Sequence, residues 1–114
     1  MTITLYGLKN CDTCRKALKD LKAAGMAHAF VDMRSDDVTR QLIAAWAGEI
    51  GWEVLLNRRG TTWRGLGDAE KADVDETGAI ELMVVHRALI KRPVVEHGGA
   101  VTIGFTEAVK NQLT

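Results

Sequence analysis

The fold is decided by the stretch Asn10-Cys11-Asp12-Thr13-Cys14-Arg15-Lys16, which holds both cysteines of the chain. It follows a strand-like run, Ile3-Thr4-Leu5-Tyr6, and opens a helical pattern. At a helix N-terminus the dipole and the free backbone N–H groups favour a thiolate, which is the reactive form of cysteine. Residues at i and i+3 share one helix face, so Cys14 can reach the sulfur of Cys11. The spacing therefore predicts a redox dithiol.

The bulk properties indicate one globular domain. With 114 residues, the chain is long enough to bury a hydrophobic core without metal or disulfide cross-links. Its formal net charge is zero, so it has no overall positive potential that would favour direct binding of nucleic acid. No signal peptide and no apolar run of membrane-spanning length is visible. We therefore expect a cytoplasmic monomer that does not bind membranes. In that compartment a C-x-x-C pair is more often catalytic or metal-binding than a structural disulfide.

The first third of the chain predicts a strand–helix–strand unit. Residues 1–6 and 27–32 read as strands, and apolar positions recur at helical spacing from Thr13 to Leu21. Gly25 stands where a helix C-cap requires a positive φ. This order predicts a parallel strand pair joined by a right-handed crossover.

The middle of the chain, residues 36–88, predicts helices and no strand. Ser35 or Asp36 can cap the first of these helices. A loop is expected over residues 57–62, and a further helix over roughly residues 75–86.

The last quarter returns to strands. Residues 93–97 and 100–103 flank Gly98-Gly99, which predicts a tight hairpin with both turn residues at positive φ. Thr106 can cap a final helix that reaches about residue 112.

The summed order, βαβ followed by helices and then ββα, is that of a thioredoxin-like α/β fold with a helical insertion between its halves. We expect a four-stranded mixed sheet with helices on its faces. The whole chain, 1–114, would then be a single domain. Its thioredoxin-like core would span residues 1–35 and 89–114, and its insertion residues 36–88.

Four segments carry a resemblance to a known family. They are Tyr6-Gly7-Leu8-Lys9-Asn10-Cys11-Asp12-Thr13, Leu55-Leu56-Asn57-Arg58-Arg59-Gly60-Thr61-Thr62-Trp63, Ile90-Lys91-Arg92-Pro93-Val94 and Gly104-Phe105. On these segments the chain resembles the arsenate-reductase-like family of thioredoxin-fold proteins. That family includes glutaredoxin-coupled arsenate reductases, Spx transcriptional regulators and small YffB-type proteins. The resemblance is nearest to the YffB-type members, whose proposed role is glutathione-dependent thiol reduction.

The resemblance implies roles for particular residues. Cys11 is expected to be the nucleophile, with Arg92 beside it and Pro93 at the cis-proline position of the fold. Cys14 is either a resolving thiol or a small apolar residue packed in the core. The other candidates for substrate binding are Lys9, Asn10, Thr13, Asn57 and Arg59.

Three functions follow from these residues, in order of preference. The first is a thiol–disulfide oxidoreductase that acts on glutathione or protein disulfides, with glutathione as co-substrate and no tightly bound cofactor. The second is an Spx-like regulator, in which a Cys11–Cys14 disulfide switches binding to RNA polymerase. The third is arsenate reduction, which ranks lower because only Arg92 of the family's three arginines is matched. The other two positions hold Asn57 and Gly104.

A metal site is not expected, because the chain has no second cysteine pair and its three histidines lack ligand spacing. Five basic residues either ring the site in positive charge or form ordinary surface, and the sequence leaves both readings open. These residues are Lys9, Arg58, Arg59, Arg64 and Lys91.

Overall fold

A computed structural model describes residues 3–72 and 74–104. The strands in this part of the chain are β1 (Ile3–Gly7), β2 (His28–Asp32), β3 (Val94–His97) and β4 (Ala100–Ile103). The α-helices are α1 (Asp12–Ala23), α2 (Arg40–Ile50), α3 (Trp52–Leu55), α4 (Thr61–Arg64), α5 (Asp68–Lys71) and α6 (Glu76–Val85), and a 3-10 turn covers Arg87–Leu89. The predicted strand start at residues 1–2 and the predicted last helix from Thr106 lie outside the described residues.

The chain divides into two compact units. The first comprises Met1–Asp37 and Arg92–Thr114, and it contains β1 to β4 and α1. The second comprises Val38–Lys91 and contains α2 to α6.

The strands form one mixed sheet in the order β2-β1-β3-β4. β1 pairs with β2 in parallel, with Ile3 opposite His28, and with β3 in antiparallel, with Leu5 opposite Val95. β3 and β4 are also antiparallel. The predicted thioredoxin-like fold is therefore confirmed, including the parallel first pair that a helical crossover requires.

The last hairpin also forms as predicted. Gly98 and Gly99 have φ values of 57° and 84°, a conformation that residues with a Cβ rarely adopt. His97 pairs with Ala100 across this turn.

The core of the first unit lies between α1 and one face of the sheet. Alternate residues of β1 point to this face, and every third or fourth residue of α1 meets them. The buried members are Ile3, Leu5, Cys14, Ala17, Leu21 and Val95. Burying a leucine such as Leu21 contributes about 2 kcal/mol. The second cysteine of the motif is thus a core residue as well as a thiol.

In the second unit α2 packs against α3 and α6. An isolated antiparallel bridge between Leu56 and Ile90 joins two distant segments of this unit. The bridge is flanked by hydrogen bonds from the Asn57 N–H to the Leu89 carbonyl (2.7 Å) and from the Lys91 N–H to the Leu55 carbonyl (3.0 Å). These bonds fix the backbone on both sides of the bridge.

Two details correct the sequence prediction for the middle of the chain. Ser35 and Asp36 do not cap α2; its N-cap is Thr39, whose hydroxyl accepts a hydrogen bond from the Leu42 N–H at 3.1 Å. The Ser35 hydroxyl instead accepts from the Asp37 N–H at 3.1 Å and so closes a turn, a local bond that competes with capping. The loop expected over residues 57–62 is also shorter, because α4 begins at Thr61.

Candidate active site

Cys11 occupies the N-cap of α1. Its backbone is extended (φ −94°, ψ 121°), and its carbonyl accepts the first helical hydrogen bond, from the Arg15 N–H at 2.9 Å. Its own N–H donates to the Leu8 carbonyl at 3.1 Å and closes the turn after β1. No side-chain oxygen caps this helix, so the partly exposed sulfur of Cys11 stands where a capping group would be.

The pKa of Cys11 is lowered, although partial burial acts in the opposite direction. The sulfur accepts hydrogen bonds from the backbone N–H and the thiol of Cys14 and from the backbone N–H of Thr13. The positive charge of Arg92 lowers the pKa further. Each of these groups stabilises the anion and not the neutral thiol, so Cys11 is the more acidic cysteine.

Cys14 has the opposite character. Its side chain is 0% exposed, and burial raises its pKa to about 11, even though the Leu8 N–H and the Arg92 charge lower it. Its hydrogen bond to Cys11 and the negative charge on Cys11 raise it further. Both thiols are free. The arrangement therefore pairs a more acidic sulfur at the helix start with a protonated, less acidic sulfur behind it.

Gly7, the last residue of β1, makes room for Cys14. A Cβ atom built on Gly7 would overlap the Sγ of Cys14 and would lie 3.3 Å from its Cβ. Sequence reasoning assigned Gly7 no role at the site, because only the packing of α1 on β1 reveals this close approach. The one available signal was a residue without a side chain between a buried strand and the cysteine motif.

Arg92 and Pro93 lie immediately before β3. The peptide bond between them is cis, as the resemblance implies. Pro93 is buried, and its carbonyl accepts the Gly104 N–H at 2.8 Å. Arg92 is half-buried, and its charge acts on both cysteines. The first unit thus brings together Cys11, Cys14 and Arg92 in one electrostatic cluster.

The other candidates of the first unit lie on its surface. Lys9, Asn10 and Thr13 are exposed, and Thr13 reaches Cys11 through its backbone N–H. The ammonium of Lys9 acts on Asp32: the pKa of that carboxyl is lowered chiefly by hydrogen bonds from Arg34, and Lys9 lowers it further.

Asn57 and Arg59 belong to the second unit. The Asn57 Oδ1 accepts the Arg59 N–H at 3.0 Å, and both residues line a pocket of about 350 Å³ together with Arg58 and Lys91. The candidates therefore fall into two groups, one in each unit.

Two further properties of the described residues bear on function. No group of three or more His, Cys, Asp or Glu side chains in residues 3–72 and 74–104 could hold a metal ion. No described helix has the length and apolar character that crossing a bilayer requires.

Comparison with known proteins identifies relatives along the whole chain. The model of the ArsC family matches residues 6–112. A solved structure named YFFB protein is 43% identical, with a TM-score of 0.92 over 98% of this chain and 99% of that one. An arsenate reductase (ArsC) related protein from Brucella melitensis is 37% identical, with a TM-score of 0.80 over 98% of this chain and 93% of that one. An uncharacterized protein from Haemophilus influenzae is 41% identical over 105 residues, which is 92% of each chain.

Proposed function

This chain belongs to the ArsC family, and from that premise we propose that it is a thiol–disulfide oxidoreductase with Cys11 as its nucleophile. The observation that carries the proposal is the opposite shift of two touching thiols. The pKa of Cys11 is lowered, whereas that of Cys14 is raised to about 11. Neighbouring groups whose pKa values are pushed apart can take different roles in one reaction. Here the roles are those of attacking thiolate and proton-holding partner.

The proposed reaction has two exchange steps. The Cys11 thiolate first attacks one sulfur of a substrate disulfide, forms a mixed disulfide, and releases the other sulfur as a thiolate that takes a proton from water. Cys14 then loses its proton to water and attacks the Cys11 sulfur, which releases the second half of the substrate as a thiolate. Two electrons pass from the dithiol to the substrate, and a Cys11–Cys14 disulfide remains. Two glutathione molecules restore the dithiol and leave as oxidised glutathione.

The position of Cys14 supports its role as the resolving thiol. Because its side chain is 0% exposed, no external substrate has access to it, whereas the Cys11 sulfur is in hydrogen-bond contact. After burial, two influences that raise the pKa of Cys14 come from Cys11, namely its hydrogen bond and its negative charge. Formation of the mixed disulfide removes the negative charge. Cys14 therefore ionises more easily once Cys11 has reacted.

We propose glutathione as the reductant because of the charge at the site. Arg92 places a guanidinium beside the reactive sulfur, and glutathione is a thiol with a net negative charge at neutral pH. The same guanidinium stabilises the thiolate that leaves from Cys11 in the second step.

Arsenate is a less well supported substrate. Asn57 is a neutral amide, occupied in part by the Arg59 N–H, and it offers no charge to an oxyanion. Gly104 has a φ of 79°, so an arginine at that position would also be strained. Arg92 is the one cation at the three positions that define the arsenate site in the resemblance.

Trapping of the mixed disulfide tests the proposal. A Cys14→Ser protein, incubated with oxidised glutathione, should accumulate one glutathione on Cys11, seen by intact-mass and peptide mass spectrometry. The matched Cys11→Ser protein should remain unmodified, because Cys14 is buried. Equal labelling of the two variants, or none of Cys14→Ser, would refute the assignment. Capture of RNA polymerase by the oxidised protein only, without glutathione turnover, would favour the regulatory alternative.

A further inference from the structure

The second unit contains a pocket of about 350 Å³, here called the basic pocket. Its lining residues are Glu53, Leu56, Asn57, Arg58, Arg59 and Lys91. Three of the lining side chains are cationic and one is anionic. Concave sites that combine apolar walls with a few convergent polar groups are typical places for small ligands.

Among the described residues, the charges of the basic pocket have no ionic partners. In the described part of the chain, Arg58, Arg59 and Lys91 form no ion pair, and neither does Glu53. Arg58 lies over the ring of Trp52, with 5.4 Å between its guanidinium carbon and the ring centroid, so its charge is held in place without neutralisation. Uncompensated cations in a concave surface create a positive potential that attracts anions.

The backbone of the basic pocket is fixed before any ligand binds. The Asn57 N–H donates to the Leu89 carbonyl at 2.7 Å, and the Lys91 N–H donates to the Leu55 carbonyl at 3.0 Å. The side chain of Asn57 accepts the Arg59 N–H at 3.0 Å, which holds the next part of the loop. A ligand therefore need not order this backbone, and that lowers the entropic cost of binding.

We propose that the basic pocket binds a small acidic ligand through an amino-acid end, with at least two carboxylates and one ammonium group. The carboxylates match the three cations, since guanidinium groups bind carboxylates in pairs of hydrogen bonds and an ammonium binds them as a point charge. The ammonium matches Glu53, the one acidic side chain in the wall. Glutamate and glutathione both carry this set of groups. For glutathione the inference rests on the proposed function, and for free glutamate it does not.

The test measures binding to the full-length Cys11→Ser protein, which removes thiol chemistry from the experiment. The ligands are L-glutamate, glutarate, S-methylglutathione and inorganic phosphate, and amide chemical shifts of residues 53–59 and 91 report saturation. L-Glutamate should bind more tightly than glutarate, which lacks the ammonium. A Glu53→Gln variant should abolish that preference, because the carboxylate that recognises the ammonium is gone.

Charge-removing variants locate the site. Arg59→Gln and Lys91→Gln should each weaken binding of L-glutamate about fivefold, which corresponds to the loss of about 1 kcal/mol at a partly exposed ionic contact. Arg34→Gln is the matched control, since Arg34 is a surface arginine already paired with Asp32 at 3.3 Å. It should leave binding unchanged.

Some outcomes show whether the ligand is a peptide or a free amino acid, and others decide whether the proposal itself holds. Tighter binding of S-methylglutathione than of L-glutamate supports a peptide ligand, and the reverse order supports a free amino acid. Absence of saturable binding, equal binding of phosphate and L-glutamate, or a preference that survives Glu53→Gln would overturn the inference. Because the Cys11→Ser protein cannot attack a disulfide, these results do not depend on the trapping experiment, and either proposal can fail alone.

Discussion

The close approach of Gly7 to Cys14 predicts that a single methyl group disturbs both the stability and the chemistry of the site. In Gly7→Ala the new Cβ overlaps the Cys14 Sγ, and this sulfur is 0% exposed and has no solvent-filled space to enter. Either the cysteine leaves its rotamer or α1 moves away from β1. Overpacking of this kind costs about 2 kcal/mol.

Urea unfolding of the reduced protein measures that cost. With a urea dependence of about 2 kcal/mol/M, the midpoint should fall by about 1 M. In a Cys14→Ala background the sulfur is gone and the tightest remaining approach is 3.3 Å, to the Cβ of residue 14, so Gly7→Ala should cost less than about 1 kcal/mol there. Gly48→Ala is the control: nothing lies within 4 Å of its added Cβ, and it should stabilise α2 by about 0.5–1 kcal/mol.

The same variant should raise the pKa of Cys11. Displacement of Cys14 weakens the hydrogen bonds that its N–H and its thiol donate to the Cys11 sulfur, while burial continues to disfavour the anion. Thiolate absorbance, measured as a function of pH, gives this pKa directly. Wild-type stability in Gly7→Ala, or equal costs of the substitution with and without the Cys14 sulfur, would refute the reasoning.

Three other perturbations have defined outcomes. The pKa of Cys14 is about 11 in the folded protein, against an ordinary value of 9.0. The stability that the protonated thiol contributes is therefore complete below pH 9 and is lost as the pH rises towards 11. Across that range the urea midpoint of the wild-type protein should fall by about 1 M more than the midpoint of Cys14→Ala. Arg92→Gln should raise the pKa of Cys11, and an unchanged thiolate titration would contradict the role given to the guanidinium. Thr39→Ala should cost about 1 kcal/mol in urea unfolding, whereas Ser35→Ala should change stability by less than about 0.5 kcal/mol, and the reverse order would restore the predicted cap.

Local sequence signals predicted the framework of the fold. The hairpin at Gly98-Gly99 and the helix end at Gly25 follow from backbone conformations that glycine alone adopts readily, and all three residues have positive φ values. Helical and strand periodicities identified the first unit, because one face of each element is buried. The placement of Cys11 at the start of α1 was also predictable, since a strand, a turn and a helix start are all local features.

The sequence could not predict features that depend on which of several equivalent residues is used, or on contacts between distant parts of the chain. Ser35, Asp36 and Thr39 can all cap a helix, but in the fold Thr39 caps α2 while the Ser35 hydroxyl closes a turn. The basic pocket could not be predicted either. Its walls come from segments more than 30 residues apart, joined by one bridge between Leu56 and Ile90.

In the reduced chain Cys14 is completely buried and Cys11 is partly exposed, so the number of reactive cysteines in a molecule reports whether it is folded. A brief pulse of a small alkylating reagent should place one label on each folded molecule and two on each unfolded molecule. Intact mass then resolves the two populations without a spectroscopic baseline. Any substitution that loosens the packing of α1 on β1 becomes visible as a second label, at conditions where the bulk protein still gives a native signal.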